Sequence, residues 1–408
     1  IAEQPSTDLR FEWRLVDFVD EGDKVVCRIE ELTTGRIETI ETDFLVGCDG
    51  GRSTVRRQLG IGYEGTSSIA SFVSIYFRAP DMINMHSFGH GNIFFPLHKD
   101  HRGFMLTWDD DQTYTYHLIL DEGQDWQDVD PVQAVKDVVG ADFEVNVHSV
   151  QPWDAHALVA ERYSEGRCFL AGDSAHLFSP TGGFGMNTGV SDAIELAWRL
   201  QAALDGWAGP GLLASYDHER RPIGYRNTQE AADCFDHLYR VMQNGDEIDD
   251  DGPEGEAIRQ ALKADIKEQE KLIASSGTLL GYRYEGSPVI VPDGTPEPPD
   301  DPRKYVPVAR PGHRAPHVWL NDGQALFDRL GPGFTLLRIG PDAPDAALII
   351  DAAAAVNMPL QVLEIAEPMV AEVYSASLVL VRPDLMIAWR GDGCPDDAGA
   401  LINVVRGA

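Results

Sequence analysis

Arg167-Cys-Phe-Leu-Ala-Gly-Asp-Ser-Ala-His-Leu-Phe-Ser-Pro-Thr-Gly-Gly-Phe-Gly-Met-Asn-Thr-Gly189 joins a short apolar strand to a glycine-rich loop and the start of a helix. The strand, Cys168 to Ala171, is typical of a buried strand and ends in Gly-Asp. The loop that follows has no side chains at four positions, so a flat ligand can lie against bare backbone. The order of strand, glycine loop and helix predicts a cradle for a polar or anionic ligand.

A helix is predicted after this loop, over residues 188–205. Its apolar residues recur at helical spacing, which predicts a face packed against the core: Val190, Ala193, Ile194, Ala197 and Leu200. The first N–H groups of the helix have no partner within it and carry partial positive charge. Asp173, at the carboxyl end of the strand, is placed to accept hydrogen bonds from ligand hydroxyls.

Composition narrows the class of protein. The chain has 408 residues, 43% of them hydrophobic, and a formal net charge of -33. A globular protein of more than one domain fits this length, and the charge argues against nucleic acid or an anionic membrane as partner. No apolar run approaches the roughly 20 residues that span a bilayer. Five dispersed cysteines without a C-x-x-C pair favour reduced thiols and a cytoplasmic location.

Sheet and helix patterns divide the chain. Antiparallel strands are predicted over 10–46, and aromatic-rich strands over 71–120 predict an antiparallel sheet. Further helices are predicted over 131–139, 210–243 and 254–275. The apolar spacing of the last helix fits either a core contact or the seam of a homodimer. His313 and His317 flank Pro316, which breaks the helix that a metal-binding pair at this spacing needs, so we expect no metal site.

Three segments together resemble the flavin-dependent aromatic hydroxylases, the FAD monooxygenases of the para-hydroxybenzoate and phenol hydroxylase type. Residues 172–200 look like the family's Gly-Asp motif, and Val46-Gly-Cys-Asp-Gly-Gly-Arg-Ser-Thr-Val-Arg56 looks like its Asp-Gly motif. Residues 281–290, leading into 310–320, resemble the branch that has a C-terminal thioredoxin-like domain. The resemblance covers essentially the whole chain.

The resemblance implies an α/β (α+β) fold with three parts. These are a Rossmann-like three-layer FAD-binding domain, an inserted antiparallel sheet that binds substrate, and a thioredoxin-like domain. The expected boundaries are 1–68 for part of the FAD-binding domain, 69–155 for the substrate sheet, 156–292 for the rest of the FAD-binding domain, 293–305 for a linker and 306–408 for the thioredoxin-like domain.

The resemblance also implies roles for particular residues. Asp173 would bind the ribityl chain of FAD, and the helix start would face the N1–C2=O edge of the flavin ring. The cofactor-binding set is Asp49, Gly50, Arg52, Asp173, Pro180, Gly182, Gly183, Gly185, Met186 and Asn187. The Pro180 carbonyl is the candidate catalytic group, through contact with the substrate hydroxyl. Candidate substrate contacts on the sheet are Phe94, Met105, Trp108 and Tyr116.

The implied activity is hydroxylation of a phenolic or polycyclic aromatic substrate, including polyketides. NAD(P)H reduces FAD, and oxygen from O2 reaches the ring through a flavin C4a-hydroperoxide. Two alternatives stay open at this point: Baeyer–Villiger-type tailoring of a ketone, and a non-catalytic fragment without the ADP-binding half. The second arises because the family's G-x-G-x-x-G element, which holds the ADP part of FAD, is expected well over a hundred residues before the Asp-Gly motif, and only about fifty residues precede Asp49 here.

Overall fold

A computed structural model describes residues 4–85, 90–97, 100–108, 112–243, 248, 250–268 and 274–408. Its strands are β1 Trp13–Asp20, β2 Val25–Glu31, β3 Arg36–Thr42, β4 Leu45–Gly47, β5 Tyr63–Arg78, β6 Ile93–Phe94, β7 Gly103–Trp108, β8 Thr113–Ile119, β9 Asn146–Ala160, β10 Ser164–Glu165, β11 Cys168–Leu170, β12 His176–Leu177, β13 Phe334–Ile339, β14 Leu360–Ile365, β15 Leu378–Val381 and β16 Ile387–Gly391. Its helices are α1 Thr54–Gln58, α2 Pro131–Val139, α3 Phe184–Leu204, α4 Ser215–Met242, α5 Pro253–Glu268, α6 Ser276–Leu280, α7 Leu326–Arg329, α8 Ala347–Ala355, α9 Pro368–Tyr374 and α10 Ala398–Val405.

Two short strands carry the two glycine motifs. β11 pairs in parallel with β4, with Leu170 opposite Gly47, and β10 lies on the other side of β11. The carboxyl ends of parallel strands meet at one edge of a sheet, where open α/β folds bind their ligands. The segments after β4 and β11 therefore emerge side by side. β1, β2 and β3 form a separate antiparallel sheet, in the region where the sequence predicts one.

The aromatic-rich strands form a six-stranded sheet in the order β12-β9-β5-β8-β7-β6. One face is buried against α2 and the segments around it, in a core that contains Val73, Ile75, Phe77, Tyr114 and Val135. The other face is partly covered by α4, whose Phe235 packs against Phe72. β5 runs through the expected boundary at 69, and β9 runs through the one at 155. The predicted division into an FAD-binding part and a substrate sheet therefore cuts two continuous strands, and we keep it only as a proposal. We call the α2 side the covered face and the opposite side the open face.

Helix α3 differs from its sequence prediction in two ways. It begins at Phe184, four residues before the predicted start. Most of the residues predicted to face the core point outward: Val190 and Ile194 are each 54% exposed, and Ala193 and Ala197 are exposed too. Leu200 is the exception among the five, because it is half-buried and packs against the core beside β11. The buried side instead carries Asp192, Glu195 and Arg199, which reach charged partners on other segments. Apolar spacing misassigned this face because those partners lie far away in the sequence.

The C-terminal part contains a mixed four-stranded sheet in the order β14-β13-β15-β16, with β13 and β14 parallel and the other pairs antiparallel. α8 and α10 pack on one side of it, in a core that also contains Trp198 of α3 and Trp207. The predicted linker lies against α6, where Thr278 donates its backbone N–H to Pro302. The predicted helix over 254–275 ends at Glu268 as α5, and residues 269–273 lie outside the described part. None of the described helices is long and apolar enough to cross a membrane.

Candidate flavin and substrate site

The Asp-Gly and Gly-Asp motifs are hydrogen-bonded to each other. The Ser174 hydroxyl donates to the Asp49 carboxylate at 3.1 Å and accepts the Gly50 N–H, also at 3.1 Å. The same carboxylate caps α1, because it accepts the backbone N–H groups of Thr54 and Val55 at 2.6 and 3.2 Å. Asp49 is thus occupied by the protein itself, and its role is to fix the two loops against each other.

Electrostatics agrees with this role for Asp49. Burial alone would raise the pKa of its carboxyl. Hydrogen bonds from Ser53, Val55, Thr54 and Ser174 outweigh burial and hold the pKa below its ordinary value. The group is therefore an ionised acceptor at neutral pH.

A buried aspartate on α3 holds the turn after β11. Asp192 accepts the Gly172 N–H at 3.1 Å, His176 at 2.7 Å and the Arg220 guanidinium at 2.9 Å. Gly189 of α3 lies so close to Gly172 that a Cβ at position 189 would be 3.1 Å from the Gly172 Cα. This close approach brings the first turns of α3 beside the end of β11, and a side chain at position 189 would push the two segments apart by a few tenths of an ångström.

The start of α3 is accessible. Gly183 is the N-cap residue, with φ +66°, and no side chain in the described part of the chain caps the N–H groups of the first turn. Met186 is 78% exposed, and Asn187 donates to the Gly183 carbonyl at 2.8 Å. Gly182 has φ +80° in the preceding turn, and the exposed Pro180 accepts the Gly183 N–H at 3.2 Å with its carbonyl.

The remaining predicted cofactor ligands are exposed on the same edge. No described residue donates a hydrogen bond to the Asp173 carboxylate, which follows β11. Arg52 is exposed after β4. An uncapped helix start suits an electron-rich ring edge, a free carboxylate suits ribityl hydroxyls, and a cation suits a phosphate. The residues present therefore fit the flavin half of FAD, and Gly50 and Gly185 lie in the segments that follow β4 and β11.

A groove of about 1320 Å³ lies beside this edge. It is lined by Arg52, by residues of β5 and β9 including Phe72 and Trp153, and by Phe235 and Tyr239 of α4. One turn before Phe235, the Ala231 carbonyl accepts the Thr181 hydroxyl of the cradle loop at 2.6 Å. The groove, the open face of the sheet and the cradle loop are thus joined through α4.

Three of the four predicted substrate contacts lie on the covered face of the sheet, away from the groove. Met105 and Tyr116 are buried on the covered face, and Phe94 packs against the same core. Tyr116 also donates its hydroxyl to the His101 carbonyl at 2.6 Å. Only Trp108, 49% exposed, lies on the open face. Strand alternation separates the two faces, but both are aromatic, so the sequence did not show which one α2 covers.

The open face has its own aromatic and polar residues, which the sequence pattern did not identify as a candidate substrate site. Because Phe104 pairs with His117 and Phe72 pairs with Trp153, these four side chains share that face. Ser74 lies among them, and Phe95 packs near Phe104 with ring centroids 6.4 Å apart. The available sequence signal was strict alternation along β5, β7 and β8, read together with the amphipathic pattern of α2.

A second unpredicted feature joins α3 and α4 to the C-terminal domain. Five buried charged residues form what we call the interdomain charge cluster: Glu195, Arg199, Glu219, Arg382 and Asp384. Arg382 contacts all three carboxylates, at 2.7 Å for Glu219 and 3.2 Å for Glu195. Burial, followed by the charge of Asp384, raises the pKa of Glu195. With Glu195 protonated, two carboxylates balance two guanidinium groups.

Comparison with known proteins shows which family has this sequence and this arrangement of the two motifs. Residues 1–231 match the FAD binding domain family, and residues 308–407 match the family of aromatic-ring hydroxylase C-terminal domains. The FAD-dependent monooxygenase opdD of Penicillium oxalicum is 31% identical over 421 residues, which cover 97% of this chain and 80% of the relative.

Two solved structures extend the likeness. The rebeccamycin biosynthetic enzyme RebC with reduced flavin is 35% identical, with a TM-score of 0.87 over 97% of this chain and 74% of that one. A ternary complex of aklavinone-11 hydroxylase with FAD and aklavinone is 29% identical, with a TM-score of 0.80 over 98% of this chain and 74% of that one. The predicted fold class and cofactor are thereby confirmed. The chain belongs to the FAD-dependent monooxygenases of the aromatic-ring hydroxylase family.

Proposed function

We propose that this monooxygenase hydroxylates a polycyclic aromatic substrate that carries phenol or carbonyl oxygens. The observation that supports this substrate class is the open face of the six-stranded sheet, where half-exposed rings extend from Trp153 on β9 to Phe104 on β7. Four adjacent strands span about 14 Å, which suits a fused ring system better than a single ring. The named relatives include an enzyme crystallised with aklavinone.

The roles of the two sides of the site follow from their chemistry. Bound FAD supplies the redox chemistry, taking hydride from NAD(P)H and activating O2. Asp173 would accept hydrogen bonds from the ribityl hydroxyls of FAD, and the N–H groups at the start of α3 would stabilise negative charge on the ring edge. Arg52 is the candidate contact for the pyrophosphate.

The Pro180 carbonyl keeps the role proposed from the sequence. It accepts the Gly183 N–H, and a carbonyl oxygen has a second lone pair, so it can also accept a substrate hydroxyl. Aromatic side chains on the open face and on α4 exclude water from the space between substrate and flavin, which protects reactive oxygen from side reactions.

The test uses the full chain supplied with FAD. Binding should give a yellow protein, and a hydroxyanthraquinone should accelerate NAD(P)H oxidation and gain one oxygen atom from ¹⁸O₂ on the ring. A ring-expanded ester from a ketone substrate would instead support Baeyer–Villiger chemistry. Asp173→Ala should weaken FAD binding, whereas Asp205→Ala, a change to an exposed aspartate at the end of α3, should not. NAD(P)H oxidation that no aromatic compound accelerates, despite bound FAD, would contradict the proposal.

A further inference from the structure

Three side chains meet on the open face where β9, β5 and β8 lie next to one another. The Trp153 indole N–H donates to the Ser74 hydroxyl oxygen at 2.7 Å. The same oxygen lies 2.8 Å from Nδ1 of His117. All three side chains are half-buried, on the face that we propose for the substrate.

The His117 ring is held in one orientation. Phe104 stacks on it with ring centroids 4.6 Å apart and planes inclined by 25°. Trp153 meets it edge-on at 5.7 Å and 85°. Nδ1 therefore points to Ser74, and Nε2 has no hydrogen-bond partner among the described residues.

The hydrogen-bond partners of Ser74 determine which nitrogen of the neutral His117 ring carries the proton. An indole N–H is only a donor, so the Ser74 oxygen must accept from Trp153. The described structure offers the Ser74 hydroxyl proton one acceptor, Nδ1 of His117. The remaining proton of a neutral imidazole then lies on Nε2. Burial lowers the pKa of His117 to about 4, so the ring is neutral at neutral pH.

We propose that His117 determines substrate specificity by donating a hydrogen bond from Nε2 to an oxygen acceptor on the aromatic substrate, a ring carbonyl or a phenolate. Ser74 and Trp153 are positioning residues, because they hold Nδ1 as the acceptor. The inference rests on the proposed function in placing the aromatic substrate on the open face. It adds that this face selects oxygenated rings over plain hydrocarbons and that His117 acts as a donor.

The experiment measures binding of three matched tricyclic probes to the FAD-supplied protein without NAD(P)H. Fluorenone has a ring carbonyl, 2-hydroxyfluorene has an ionisable phenol, and fluorene has no oxygen. Calorimetry should show that the wild type binds fluorenone or ionised 2-hydroxyfluorene about 5- to 10-fold more tightly than fluorene, the effect of one added hydrogen bond. A preference for fluorenone identifies a carbonyl, and one that appears only as the phenol ionises identifies a phenolate.

Two substitutions separate the donor from its surroundings. His117→Asn keeps a polar group near Ser74 but removes the Nε2 donor, so the preference should disappear while fluorene affinity is unchanged. His117→Gln places an amide N–H near the Nε2 position and should retain most of the preference. Equal losses for all three probes in His117→Asn would show a structural role and overturn the proposal, as would an unchanged preference. If the wild type binds FAD but none of the probes, the placement of substrate on the open face fails as well.

Discussion

Replacing Arg382 by methionine is expected to lower the free energy of unfolding by about 3–5 kcal/mol, the usual cost of removing one partner from a buried ion pair. Arg382 is fully buried and contacts Glu195, Glu219 and Asp384. Its removal leaves three buried carboxyl groups with one guanidinium, that of Arg199. Methionine fills much of the volume, so the loss reflects charge more than a cavity.

Urea titration followed by circular dichroism measures this loss, with the slope of the transition compared between variants. Arg14→Met is the matched control. Arg14 pairs with Glu30 on the surface with 62% of its side chain exposed, so this change should cost no more than about 1 kcal/mol.

The loss of unfolding free energy caused by Arg382→Met, which we call its deficit, should also depend on pH. Without the guanidinium, the pKa values of Glu219 and Asp384 in the folded variant rise above those in the unfolded chain. Groups of this kind add stability as the pH falls, because the folded state then binds more protons. The deficit should therefore be smaller at pH 5 than at pH 8. A loss below about 1 kcal/mol, or one equal to that of Arg14→Met at both pH values, would refute the argument that the cluster is a set of mutually dependent buried charges.

Three further predictions concern the cradle and the sheet. Gly189→Ala should weaken FAD binding by up to about 10-fold, measured by quenching of flavin fluorescence, because the new Cβ, 3.1 Å from the Gly172 Cα, pushes α3 away from the turn after β11. Gly393→Ala, whose Cβ meets nothing within 4 Å, should leave binding unchanged. Asp49→Ala should lower the free energy of unfolding by about 1–2 kcal/mol, because α1 loses a capping carboxylate, and should also reduce FAD affinity. Asp130→Ala removes the cap of α2 and should lower the free energy of unfolding without changing FAD affinity. Equal FAD affinities in the two variants would contradict the role of Asp49. Burial lowers the pKa of both His117 and His313 to about 4, so the unfolded state binds their protons first as the pH falls from 6.5 towards 4, and each histidine should cost about 1–2 kcal/mol of stability over that range. The raised pKa of Glu195 acts in the opposite direction, so the measurement compares wild type with His117→Asn, which should lose less unfolding free energy over this interval; equal changes in the two proteins would show that the effect of His117 is absent.

The sequence predicted the parts of the site whose signals are local. Gly-Asp after β11 and Asp-Gly after β4 are read directly from strand ends and glycine turns, whereas the parallel pairing of these two strands was not predicted and is seen only in the structure. What could not be predicted depends on distant segments. The covered and open faces of the sheet are distinguished by α2, and Asp192 is buried because Arg220 of α4 pairs with it.

The interdomain charge cluster has a consequence for recombination between related enzymes. The chain between 293 and 305 is the obvious place to join the C-terminal domain of one relative to the remainder of another. A junction there separates Arg382 and Asp384 from Glu195, Arg199 and Glu219. A hybrid whose parents differ at any of these five positions would bury an uncompensated charge. A unit that keeps the interdomain charge cluster whole therefore comprises the C-terminal domain together with α3 and α4, although these helices precede it in the chain. Because Asp192 of α3 also contacts Gly172 and His176, the parents of such a hybrid must match at these positions as well.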